Sequence, residues 1–283
     1  MKYNWNRKMG TEVMAEKESG GITYLQFPAL EQTGMVKHAF STRLGGVSKP
    51  PFDTLNFTTT RGDNPIHVME NYNRMAAALK VEANHMVLSW QSHTTNVRTV
   101  TEADSGKGVV SKRDYRDIDG LITNVPGITL VTFYADCVPL YFLDPVHKAI
   151  GLSHSGWRGT VNRMGRETLL KMAREYGTRP ADVLAAIGPS ICKDCYEVGG
   201  EVAEAFYRQF EQKSQRLLTV AGSDGKYQLD MWAANRIILE EAGVCPEQIH
   251  VTDICTRCNP ELLFSHRKMG ERRGNLAAFM TLK

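Results

Sequence analysis

The chain has 283 residues, 42% hydrophobic and 23% charged, with a formal net charge of +3. This is ordinary globular composition, long enough to bury a core without disulfides or metal. The near-neutral charge carries no nucleic-acid signature, and no run reaches the ~18 consecutive apolar residues of a membrane span, so neither partner is expected.

Residues 1–20 are polar and read as a frayed or weakly paired start, with 21–283 as a single catalytic domain. The first eight residues are basic but lack an apolar stretch, so they are no secretory signal. The six cysteines then read as thiols or ligands, and a cytoplasmic location is expected. Residues 22–27 alternate as a strand does, and 38–43 form another, ended by Leu44-Gly45-Gly46-Val47-Ser48. Residues 64–79 read as a helix, with Asn64 as cap and Pro65 in the first turn.

Further strands are expected at 87–90, 97–100, 120–123, 128–134, 138–143, 147–152, 183–187, 249–251, 264–267 and 277–282. Helices are expected at 161–176, 201–210 and 231–242. The helices are too few to cover both faces of a long parallel sheet. The pattern therefore predicts an α+β fold of mixed sheets with flanking helices.

Three residues stand at ends of strand-like runs. They are His93 in Trp90-Gln91-Ser92-His93, Cys137 in Ala135-Asp136-Cys137-Val138, and His154 in His154-Ser155-Gly156-Trp157-Arg158-Gly159. Two imidazoles and a thiolate fill three positions of a tetrahedral zinc, and an open fourth position marks a catalytic site. The intervals are long, so the three meet only if the fold brings their strand ends together. A lone histidine is equally a hydrogen-bonded core residue, and a lone cysteine a small hydrophobe. Gly156 and Gly159 allow close backbone approach, and Arg158 suits an anion. Cys137 also fits a nucleophile with His93 or His154 as base. Asp136 either orients an imidazole or caps a turn.

Arg43, beside a glycine-bearing loop, suits phosphate or carboxylate, or else closes a hairpin. Two further pairs, Cys192-Lys193-Asp194-Cys195 and Cys255-Thr256-Arg257-Cys258, have zinc-like internal spacing. The interval between them far exceeds that of a zinc ribbon, and turns account for them better. Cys245 reads as packing.

These motifs form a set, joined by Ser41-Thr42-Arg43-Leu44-Gly45-Gly46, Ile187-Gly188-Pro189-Ser190, Cys195-Tyr196-Glu197-Val198-Gly199 and Phe264-Ser265-His266-Arg267. From about residue 35 onward the chain resembles the polyphenol oxidase or laccase-domain family, also described as purine nucleoside phosphorylases of the peptidoglycan-editing-factor type. The resemblance implies a single-domain mixed α/β fold with zinc on His93, Cys137 and His154. It implies phosphorolysis of adenosine, inosine and methylthioadenosine, with adenosine deaminase activity, so that purine nucleosides and phosphate are the partners. Arg43, Asn56 and Arg158 fall in its pocket motifs and are expected to contact phosphate and substrate. Zinc deaminases shuttle protons on a glutamate. None lies beside these ligands, so Asp119 or Asp136 is expected to serve.

The chain departs from the family pattern at Thr94, Ser155 and His266, where glycine, alanine and an aromatic residue are usual. Copper, suggested by the older name, fits poorly: none of the eight histidines forms a His-x-His pair. Two other readings stay open. One is a hydrolase with Cys137 as nucleophile acting on peptidoglycan precursors. The other is a non-catalytic protein holding structural zinc on Cys192, Cys195, Cys255 and Cys258.

Overall fold

In the computed structural model, which describes residues 2–8, 12–222 and 225–283, two six-stranded sheets stack face to face with helices outside them. The chain runs through β1 (Ala15–Ser19), β2 (Ile22–Gln26), α1 (Pro28–Gln32), β3 (Val36–Ser41), α2 (Pro65–Leu79), β4 (Met86–Leu88), β5 (Val97–Thr99) and β6 (Gly120–Thr123). It continues through β7 (Thr129–Tyr134), β8 (Val138–Asp144), β9 (Ala149–Ser155), α3 (Trp157–Val161), α4 (Met164–Tyr176), β10 (Leu184–Ile187), β11 (Glu197–Val198) and α5 (Gly200–Phe210). It ends with α6 (Ser214–Leu217), β12 (Leu218–Ala221), β13 (Lys226–Leu229), α7 (Met231–Glu241), β14 (Ile249–Val251), α8 (His266–Met269) and β15 (Leu276–Leu282). The first sheet has the order β1-β2-β3-β15-β7-β4 and the second β14-β10-β8-β9-β6-β5. Both are mixed, because β4 joins β7 and β5 joins β6 in parallel while their other neighbours run antiparallel.

Strand parity explains the layers. On β8, Val138, Leu140 and Phe142 face one apolar cluster with Leu169 and Met172 of α4 and Ile238 and Leu239 of α7. Tyr141 and Leu143 instead join Leu130 and Tyr134 of β7 and Ile150 and Leu152 of β9 between the sheets. The outer face of the first sheet, with Val131 and Phe279, is covered by α2 through Val68, Tyr72 and Met75. Each such buried side chain contributes roughly 1.5–3 kcal/mol against its exposed state. Helix α2 begins as expected: Asn64 accepts from the Ile66 N–H, and Pro65 stands at the first position.

Three expectations need correction. The N-terminal segment is not frayed where it is described: β1 pairs antiparallel with β2 from Ala15↔Gln26 to Ser19↔Ile22. Trp5 is buried, and its Nε1 donates to Glu16 at 2.8 Å. The charged run Glu16-Lys17-Glu18 is edge-strand chemistry, which hides the strand from a polarity reading. Residues 1 and 9–11 of that segment lie outside the described residues.

The strand expected at 264–267 is instead the start of α8, where the Ser265 hydroxyl accepts from the Lys268 N–H. The helix expected from 161 is broken at Arg163, whose φ of 62° ends one helical run before α4 begins. The small sheet β11-β13-β12 was not anticipated.

Candidate functional site

Strand β7 belongs to the first sheet and β8 to the second, so the chain crosses between layers at Ala135-Asp136-Cys137. Asp136 makes this sharp passage with φ of 93°. Its backbone C=O accepts from the Ile191 N–H, and its carboxylate accepts from the Thr256 hydroxyl at 2.6 Å and the Arg267 N–H at 2.6 Å. Cys137 is thus anchored at the open end of the space between the sheets. His154 lies inside β9, later than the expected strand end. The period of two puts it on the same inter-sheet face as Ile150 and Leu152, beside Tyr134 at 5.6 Å between ring centroids. Ser153 and Ser155 face the helices: Ser153 bonds Thr168, and Ser155 bonds Thr160 and Asn235.

His93 sits in the loop after β4 with φ of 66°. Asp119, fully buried, organises this loop by accepting the N–H groups of Ser92, His93 and Thr94 at 3.0–3.1 Å. The hydroxyl of Thr94, at the position where the family's glycine was expected, adds a further bond at 3.0 Å. The same carboxylate meets His154 Nδ1 at 2.8 Å. That bond leaves His154 Nε2 available as a ligand atom.

The ligand atoms of His93, Cys137 and His154 all lie within 4.8 Å of one another, and Cys137 Sγ stands 4.0 Å from His93 Nε2. Gly156 makes room for them. A Cβ there would stand 2.7 Å from His93 Cδ2 and 3.2 Å from Cys137 Sγ.

Burial pushes the Cys137 thiol up, but the adjacent His154 and His93 more than offset it and bring it down to about 6. Burial likewise pushes His154 down, and Cys137 and Asp119 raise it to about 9. A softened thiolate, two imidazoles and a carboxylate behind one of them form a donor set suited to zinc. Among the described residues, the other His, Cys and carboxylate group close enough to share an ion is Cys192, Cys195, Cys255 and Cys258. A multi-copper centre built of several histidine pairs does not fit these residues.

The three residues open onto a cavity of about 460 Å³. Its walls carry Trp90, Phe133 and Tyr134, and also Arg61, Arg113 and Arg273. Arg273 is buried, and its NH1 donates to the Gly274 C=O and to Asn275 Oδ1, while its Nε has no partner. Burial lowers its value to about 10, so the guanidinium stays charged at neutral pH. Arg113 donates to the Ser89 C=O and stacks on Trp90, with 4.5 Å from Cζ to the ring centroid. These arginines were missed in the sequence because they sit in irregular loops without a motif.

Three expected substrate contacts are placed elsewhere. Asn56 is fully buried and spent on structure. Its Nδ2 donates to the Thr58 C=O and Asp63, and its Oδ1 accepts from the Thr58 and Asn275 N–H groups. Arg43 clamps its own loop through the Asp53 C=O, the Asp53 carboxylate and the Pro260 C=O, with Phe264 under its guanidinium. These bonds engage Nε and both terminal nitrogens within its own surroundings, and Arg43 is not part of the cavity wall. Arg158 is exposed, stacks on Trp157 at 4.3 Å and is not part of the cavity wall. Asp119 has its oxygens taken by these donors and is sealed from solvent, which suits positioning and not proton shuttling.

A family model described as multi-copper polyphenol oxidoreductase laccase matches residues 37–283. The chain belongs to the multi-copper polyphenol oxidoreductase laccase family. Within this laccase family it is 36% identical over 248 residues to a Bacillus subtilis protein named purine nucleoside phosphorylase YlmD, covering 86% of this chain and 87% of that one. It is 33% identical over 238 residues to adenosine deaminase RL5 from an unknown prokaryotic organism, covering 83% and 90%. The crystal structure of YlmD from Geobacillus stearothermophilus superposes with a TM-score of 0.88 at 32% identity, covering 96% of this chain and 100% of that one. The expected mixed-sheet α+β architecture is therefore also that of solved family members. Among the described residues no helix is long and apolar enough to cross a membrane.

Proposed function

We propose that this chain is a zinc-dependent purine nucleoside phosphorylase acting on adenosine, inosine and methylthioadenosine, with adenosine deamination as a second activity of the same site. The observation that carries this reading is one cavity holding the His93, Cys137 and His154 cluster together with buried Arg273. A buried guanidinium hydrogen-bonded to neutral groups is costly unless an anion joins it. A reactant phosphate supplies that anion. The names of the relatives, phosphorylase and deaminase, agree with this assignment.

His93, Cys137 and His154 would hold a zinc ion, which would supply Lewis acidity to the site. Asp119 fixes the His154 tautomer and the His93 loop, so both rings are held before substrate arrives. Arg273 and Arg113 orient phosphate so that one of its oxygens reaches the anomeric carbon as the glycosidic bond to the purine breaks. Trp90, Phe133 and Tyr134 offer aromatic faces to the base. A cytoplasmic enzyme with reduced cysteines fits this chemistry.

A second reading rests on the low-lying Cys137 thiol beside a high-lying His154 imidazole, an arrangement that also activates a nucleophile. Purified protein incubated with adenosine, with and without phosphate, separates the outcomes. Adenine and ribose 1-phosphate mark phosphorolysis, and inosine marks deamination. Activity that survives chelators and dies on alkylation of Cys137 would favour the nucleophile instead.

A further inference from the structure

The two Cys-x-x-Cys turns, separated in sequence by far more than a zinc-ribbon interval, meet in the fold. Strands β10 and β14 are parallel neighbours, with Ile187 opposite Val251. Each turn follows its strand within a few residues, so both emerge at the same end of the sheet. A bridge between Ser190 and Cys255, with the Thr256 N–H donating to the Ser190 C=O, holds the turns side by side. Turns are what such a site needs, because each Cys-x-x-Cys must present two sulfurs to one point.

The four sulfurs lie within 4.8 Å of one another, and none is in a disulfide. With a zinc–sulfur distance of about 2.3 Å, tetrahedral ligands stand about 3.8 Å apart, so little movement separates this cluster from a closed site. Cys195 and Cys258 are 3.4 Å apart, and the Cys192 N–H already points at Cys255 Sγ at 3.3 Å. Four thiolates around a divalent ion leave a surplus negative charge. Arg257 answers it with NH1 at 3.3 Å from Cys195 Sγ, and Lys8 stands near Cys192 and Cys258.

We propose that Cys192, Cys195, Cys255 and Cys258 form a second metal site, a closed tetrathiolate that holds a structural zinc ion. Each thiol gives its proton to solvent and its sulfur lone pair to the ion, and no oxidant is consumed. All four positions are filled by protein, so this ion has no place for substrate. Its role is to tie the turn after β10 to the turn after β14. Both turns also hold Asp136, through the Ile191 N–H and the Thr256 hydroxyl, and Asp136 precedes Cys137. The site therefore braces the layer crossing that carries the other cluster.

The test is metal content by mass spectrometry on the full chain, purified under reductant without chelator and dialysed against zinc. The wild type should hold one zinc per cluster, two per chain. Cys258→Ser, at the least buried of the four, should lose one and keep the other, whereas Cys137→Ala should lose only the other. Cys258→His, which restores a ligand, should regain the lost ion. Iodoacetamide on the folded wild type should spare the four thiols until zinc is stripped. A single zinc that vanishes entirely with Cys137→Ala would overturn the proposal. So would a Cys195–Cys258 disulfide in freshly purified, reduced protein, or four thiols alkylated without stripping. These counts do not depend on any enzymatic activity.

Discussion

Asp119 and His154 are joined by a 2.8 Å hydrogen bond between the carboxylate and Nδ1, and the other donors to that carboxylate come from the loop bearing His93. One buried carboxylate therefore sets the geometry of two clustered imidazoles that are distant in sequence. Asp119→Asn keeps the shape but weakens the hold on the ring and its basicity. Zinc affinity should fall by about 10–100-fold, measured by competition with a chromophoric chelator. Unchanged affinity would remove Asp119 from the site's support.

Gly156 has no room for a side chain. In Gly156→Ala the new Cβ meets the His93 ring and the Cys137 sulfur, so one of them must move. A displacement of about 1 Å costs on the order of 100-fold in rate. Activity should fall by about that factor while circular dichroism stays native. Wild-type turnover in this variant would mean that the two side chains do not need their observed spacing.

The proton inventory gives a pH dependence. Without metal, Cys137 titrates at about 6 and His154 at about 9, so at neutral pH the pair is thiolate and imidazolium. The raised His154 value contributes stability that is present at low pH and lost as pH rises through about 9. The lowered Cys137 value contributes stability that is present at alkaline pH and lost as pH falls through about 6. The metal-free protein gains most from the pair between those limits. Zinc must displace the His154 proton there, so its apparent affinity should rise by about tenfold per pH unit from 7 to 8.5. Titration calorimetry in buffers of different ionisation enthalpy reads the released proton. A pH-independent affinity would contradict the assignment.

Arg273 is expected to matter for phosphate and little for folding. In Arg273→Met the lost charge-assisted bond should raise KM for phosphate by about 10–100-fold, with a smaller change for the nucleoside. Melting temperature should hold or rise, because a buried cation with neutral partners has been removed. A rise in nucleoside KM alone would place phosphate elsewhere.

His93, Cys137 and His154 could be singled out because each lies in a distinctive motif close to a strand-like run. Their convergence was not legible, because it depends on the passage from β7 in one sheet to β8 in the other. Arg43 and Asn56 show a bonding role that their motifs do not announce. A polar residue in a glycine-bearing loop can serve the loop itself, and here backbone carbonyls and Asp53 take the Arg43 donors. Arg273 carries no motif, and what singles it out is its burial in the cavity wall, which a lone arginine in sequence does not announce. The two Cys-x-x-Cys pairs were discounted on their interval, yet parallel pairing of β10 with β14 makes that interval irrelevant. Amphipathic and buried elements such as α2, β8 and β9 were read correctly, whereas the charged edge strand β1 was not, since edge strands are kept polar.

The most direct test follows inosine and phosphate with wild-type protein and Cys137→Ala, quantifying hypoxanthine and ribose 1-phosphate together. The account predicts equal amounts of both products from the wild type, strict dependence on phosphate, and no product from the variant. Hypoxanthine released without phosphate, or at the wild-type rate by Cys137→Ala, would contradict it.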